Sequence, residues 1–244
     1  MGPGDAADGG SAAPEPAPLA PGRGWVLLPV AWCVWLLVWL VPSLLLAPHL
    51  ESPRFWMTRD TAPAAVAAAA ALFLVAAWPF WPALAGGAEP LRGRWLALSA
   101  LEGIVLAALA APFVLVAWSV AGRALDVWPP AAVGLGLGVL GLGLRVAVAG
   151  LGPRAARWLM LAAMLACALP PALAYAGGET MGIAFPRLLE ASPVVALVRA
   201  ALEGWPPLGW PEIARLWLWP GVGVTLAAAG WLEWRRRGGP AAEA

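Results

Sequence analysis

Hydrophobic positions in this chain fall into long unbroken blocks separated by short polar stretches. The blocks are Trp25–Pro48, Ala62–Gly87, Trp95–Gly122, Trp128–Gly152, Trp158–Gly178 and Ile213–Trp234. Each reaches or exceeds the roughly 20 residues a helix needs to cross a hydrocarbon layer. The pattern predicts an all-α bundle of six membrane-spanning helices over residues 25–237. Residues 1–24 and 238–244 read as disordered tails. The first tail is Ala, Pro and Gly with Asp5, Asp8 and Glu15, too poor in apolar surface to fold. It lacks the basic start of a signal peptide.

The fourth block carries a glycine pattern. Gly134, Gly138 and Gly141 are spaced i, i+4, i+7 and share one helix face. Glycines so spaced let a neighbouring helix approach closely. Arg145 falls under the same stripe. It is expected to face protein, because a charge at the centre of a membrane helix costs on the order of 2.5–3.5 kcal/mol. Glu102, seven residues past Trp95, and Arg145, seven before Gly152, each lie roughly 10 Å from the same membrane face at about 1.5 Å per residue. Consecutive spans are antiparallel neighbours, so an ion pair is expected. A structural role and a role in a substrate path both fit that pair.

The longest stretch outside the spans is Gly177–Glu212. Within it, Ser192–Gly204 reads as a short amphipathic outer helix: Ser192 is a good N-cap, Pro193 suits the first helical position and Gly204 suits the stop. Arg199 and Glu203 lie on its polar face. Such a helix lies along the interface or tucks back onto the bundle. Ile183–Ala191 reads as a shorter companion, and Pro170 and Pro171 are expected to break the outer half of span five.

Composition narrows the class. The 244 residues are 61% hydrophobic and 12% charged, with a mean hydropathy of +0.77, against about 25% charged in soluble domains. A net charge of +1 gives no reason to expect a nucleic-acid partner. Every basic residue is Arg, and with the Ala, Gly, Pro and Trp load this points to a GC-rich bacterial genome and an inner-membrane location. Arg23, Arg92, Arg94, Arg145, Arg154, Arg157 and Arg235 to Arg237 would lie toward one side of the membrane. By the positive-inside rule that side is the cytoplasm, and both termini belong to it. Cys33 and Cys167 lack metal spacing, and His49 is the single histidine, so no metal or cofactor is expected. No metalloprotease, nucleophile-elbow, P-loop or dinucleotide motif occurs, so the chain does not read as an enzyme.

The layout resembles the permease subunit of type-2 ATP-binding cassette transporters. The residues that carry the resemblance are Pro170–Pro171 in span five, Ala191-Ser192-Pro193 with its following helix, and Arg235 to Arg237 after span six. Two parts depart from that family. The leader is acidic and Pro/Ala-rich where the family has a basic connector helix, and Glu89, Arg92 and Gly93 are a shortened form of its cytoplasmic coupling helix. The resemblance implies an exporter of homodimeric or heterodimeric permeases, energised by a separate ATP-binding subunit. Arg92, Arg94, Arg154 and Arg157 would contact that subunit. A non-transporting membrane anchor or scaffold is the alternative.

Overall fold

The structure, a computed structural model, describes residues 23–45, 61–84, 95–122, 126–181, 189, 191–203 and 210–237. Among these it is all-helical, with 95% of residues in helices and no strand. The long elements are α1 (Arg23–Leu45), α2 (Ala62–Leu72), α4 (Trp95–Val120), α5 (Trp128–Leu151), α6 (Pro153–Met181) and α8 (Trp210–Arg236). Two short helices join them, α3 (Trp81–Leu84) and α7 (Pro193–Glu203). Among the described residues, four stretches are long and apolar enough to cross a membrane: Ala62–Phe80, Trp95–Val120, Trp128–Leu151 and Pro153–Gly177. Helix α1 begins at Arg23, two residues ahead of the expected span, and holds a shorter apolar stretch, Leu27–Pro42. Residues 1–22 of the expected N-terminal tail, the expected tail at 238–244, residues 46–60 and 85–94 between the first three blocks, and most of the Ile183–Ala191 companion lie outside the described residues.

Helix α1 buries one face at four-residue intervals, Leu28, Trp32, Leu36 and Leu40, as a helical repeat requires. Trp32 donates its indole N–H to the Leu106 carbonyl at 2.8 Å, and Trp35 donates to Ala69 O at 2.9 Å. Both indoles therefore pack between helices and find carbonyl acceptors there, as buried tryptophans usually do.

The second span changes its winding partway. After α2 comes a π-helical turn, Phe73–Ala77, then a 3-10 turn, Trp78–Phe80, then α3. Pro79 lacks an N–H and its ring crowds the preceding turn, and the widened turn absorbs that clash.

The tightest packing joins α5 to α8, the most extensive contact between any two elements. A methyl group built on Gly143 would collide with the backbone of Gly223, and one on Gly150 with the backbone of Gly230. Gly143 to Gly150 and Gly223 to Gly230 are both steps of seven residues in the same direction, so the two helices run parallel, backbone against backbone. At their common end, Arg237 bonds to Glu233 at 3.1 Å and reaches the Leu151 carbonyl at 3.4 Å. This places a cation on the negative end of the α5 dipole. Gly152 (φ 88°) then turns the chain, and Pro153 starts α6 in the opposite direction.

The expected glycine stripe is only partly a contact face. Gly141 abuts Leu74 and Trp78, Gly134 reaches Leu197 at ordinary van der Waals distance, and a side chain on Gly138 would meet no described residue within 4 Å. Helical spacing places residues on one face but does not say where along it a neighbour ends. A second difference lies in α6, which runs unbroken through Pro170 and Pro171.

Gly143→Ala is expected to cost about 1–3 kcal/mol through overpacking. Gly138→Ala, with open space around it, should be neutral or stabilise by up to about 1 kcal/mol through helix propensity. Thermal unfolding of the two purified variants in mild detergent checks this contrast.

Candidate functional site

The site is built around the α5 arginine, toward the end of the bundle where α5 finishes and α4 begins. Arg145 is 4% exposed, and its Nη1 donates to Glu102 Oε2 of α4 at 2.8 Å. Glu102 is 8% exposed. The guanidinium carbon lies 5.8 Å from the ring centroids of both Trp78 and Trp95. The charge thus meets a carboxylate and an indole from α4, Glu102 and Trp95, and a second indole, Trp78, from the end of the second span. Cation–π contacts of this kind contribute about 0.5–2 kcal/mol, more when desolvated. Arginine suits the position because its flat guanidinium stacks on rings while donating in its plane.

Trp78 does a second job of geometry. It is 2% exposed, and its ring edge would lie 3.4 Å from a methyl on Gly103 of α4 and 3.0 Å from one on Gly141 of α5. The indole is wedged between these helices because glycine on each side leaves it room. Sequence reasoning missed Trp78 and Trp95 as partners of Arg145. The glycines facing Trp78 offered a signal, being small residues on two neighbouring spans at matching depth.

At the opposite end of the bundle, α7 packs against α2 and α5, burying Leu197, Ala200 and Ala201. Ser192 is fully buried and caps it: its Oγ lies 3.5 Å from the Val195 N–H and its carbonyl accepts from Ala196. The same hydroxyl donates to the Cys167 carbonyl at 3.0 Å. In a regular helix that carbonyl would accept from residue 171, but Pro171 has no N–H to give. The double proline therefore leaves an orphan acceptor inside the span, and the loop serine fills it. Helix α6 continues through both prolines, where the sequence suggested a break, with this carbonyl satisfied from outside the helix. Pro193, also buried, fits the first helical position.

The remaining expected residues are more peripheral. Arg199 is partly buried on α7, while Arg154 and Arg157 are exposed at the start of α6 beside Trp158 and Leu161. Arg92 and Arg94 lie outside the described residues. Among the described residues no cluster of His, Cys, Asp and Glu could hold a metal ion.

An apolar slot runs between α4 and α5, with a volume of about 550 Å3. Trp78 stands at one end, and Trp118 and Leu197 at the other. Among the described residues, no charged or hydroxyl-bearing side chain lines it.

No known protein family, curated protein or solved structure matches the chain.

Ser192→Ala should lose about 1–2 kcal/mol, since one change removes a helix cap and leaves a buried carbonyl unpaired. Arg145→Lys keeps the charge but not the flat stack, and is expected to lose about 1–2 kcal/mol. Thermal melts of each variant in the same detergent measure both losses.

Proposed function

We propose that this chain is the permease subunit of a cassette-type exporter, a six-span bacterial inner-membrane protein that works with a separate ATP-binding subunit and a second permease copy. The observation that carries this reading is the placement of α7. A short helix between the fifth and last long helices turns back onto the bundle and is pinned by Ser192 to the double-proline segment of α6. A helix so placed is what the resemblance to type-2 permeases would call for in an outer insertion, and it supports this reading.

Two further features support six spans. Helix α8 runs parallel to α5 along its glycine seam, so a bilayer that contains α5 contains α8. Several of the exposed aromatics also lie toward helix ends: Trp128 and Tyr175 at one end of the bundle, Trp158 and Trp231 at the other. Trp and Tyr favour the two membrane–water interfaces. Trp158 and Tyr175 are about 26 Å apart along α6, close to the depth of a hydrocarbon core.

Orientation follows from arginine. Arg154, Arg157 and Arg235 to Arg237 gather where α5 and α8 end, which makes that end cytoplasmic by the positive-inside rule. The exposed Arg154 and Arg157 would then meet the ATPase. Without a nucleotide-binding motif of its own, the chain takes its energy from that partner. The alternative, a non-transporting anchor or scaffold, draws on one observation: Glu102 and Arg145 close on each other rather than on a cavity.

Affinity purification of the tagged protein from its native host in mild detergent separates these readings. The permease reading predicts a stoichiometric ATP-binding cassette protein that is lost from an Arg154→Gln/Arg157→Gln variant still present in membranes. Recovery without an ATPase would transfer the reading to the anchor.

A further inference from the structure

We propose that the slot between α4 and α5 binds one acyl chain of a bilayer lipid, which enters sideways from the hydrocarbon. This requires only that the protein lie in a membrane, and it stands whether or not an ATPase partner exists.

The shape argues for it first. The slot is lined along α4 from Ala100 to Trp118, about 27 Å of helix at 1.5 Å per residue, which is close to the full hydrocarbon depth. Its mouth is flanked by Ile104 and Leu135, which are 66% and 73% exposed on the lipid-facing surface. The inner end is stopped by the Trp78 indole, which stands between the slot and the Arg145 guanidinium.

The size then selects the occupant. An apolar cavity of about 150 Å3 holds one benzene, so a slot of 550 Å3 has room for on the order of 20 carbons, one long acyl chain. A helix 10 Å wide and 27 Å long displaces about 2,100 Å3, several times the space available. Water is disfavoured, because a buried water needs two to four polar partners and the described lining residues are Ala, Gly, Val, Leu, Ile, Pro and Trp. An empty slot would forfeit dispersion contacts along both helices, and the adjoining lipid can supply them. Gly134 and Gly138 on the α5 wall keep the slot open, and a side chain at Gly138 would enter space that no described residue occupies.

The test uses the full-length protein in vesicles of phosphatidylethanolamine and phosphatidylglycerol doped with a phosphatidylcholine carrying a photoreactive diazirine in mid-chain. Adducts are mapped by mass spectrometry. The expected result is adducts concentrated on the slot wall, around Ala107, Ala110 and Gly138, above the level on the outward face of α6 at Leu161 and Leu165. Gly138→Leu should lower the slot adducts several-fold and leave those on α6 unchanged, which also shows that the variant is folded. Native mass spectrometry should find a lipid retained by the wild type and lost from Gly138→Leu. Even labelling of the slot and α6, slot adducts unaffected by Gly138→Leu, or slot residues cross-linked to a second copy of the chain would each overturn the proposal.

Discussion

Burying one arginine in an apolar bundle is the constraint from which much of this architecture follows. Arg145 cannot be left alone among hydrocarbon and helix backbone, since an isolated buried charge is far more costly than any packing gain at the same site. Glu102 neutralises it at 2.8 Å, and Trp78 and Trp95 cover it at 5.8 Å. These partners come from α4 and from the rewound end of the second span, so the charge ties three segments together. Trp78 must also fit between α4 and α5, which sets the spacing of those helices near the site. The slot above it is the space this spacing leaves.

The second organising force is close backbone approach. Inside a bilayer there is little hydrophobic gain in bringing two apolar helices together, so contact depends on shape and van der Waals packing. Gly143 and Gly150 against Gly223 and Gly230 supply that shape. The result is an asymmetric α5: one side pressed on α8, one holding Trp78 and the ion pair, and one facing the slot. Few helices could serve three neighbours in this way without so many glycines.

Parts of this arrangement were legible in the residues. The apolar blocks located the helices, and counting residues from Trp95 and Gly152 placed Glu102 and Arg145 at one depth. Ser192 and Pro193 announced a helix start by cap chemistry alone. Other parts were not legible, because periodicity assigns a face without naming its neighbour. The stripe from Gly134 to Gly141 was visible, yet only its lower end meets tight packing, while the seven-residue steps on α5 and α8 that form the closest contact went unread. The double proline suggested a broken helix. Its orphan carbonyl is satisfied by a serine 25 residues further along the chain, and local sequence carries no sign of that bond. The π turn before Pro79 is a similar case: the proline is visible, but the way the chain absorbs it depends on the neighbours.

A double-mutant cycle on Glu102 and Arg145 tests the central claim most directly. Unfolding free energies would be measured in mild detergent for Glu102→Gln, Arg145→Met and the pair. If the bundle depends on mutual neutralisation, Glu102→Gln alone leaves a buried cation and Arg145→Met a buried anion, each costing about 3–5 kcal/mol, while the double variant loses no more than either single one. Losses that simply add would contradict the account and make the two residues independent occupants of one depth.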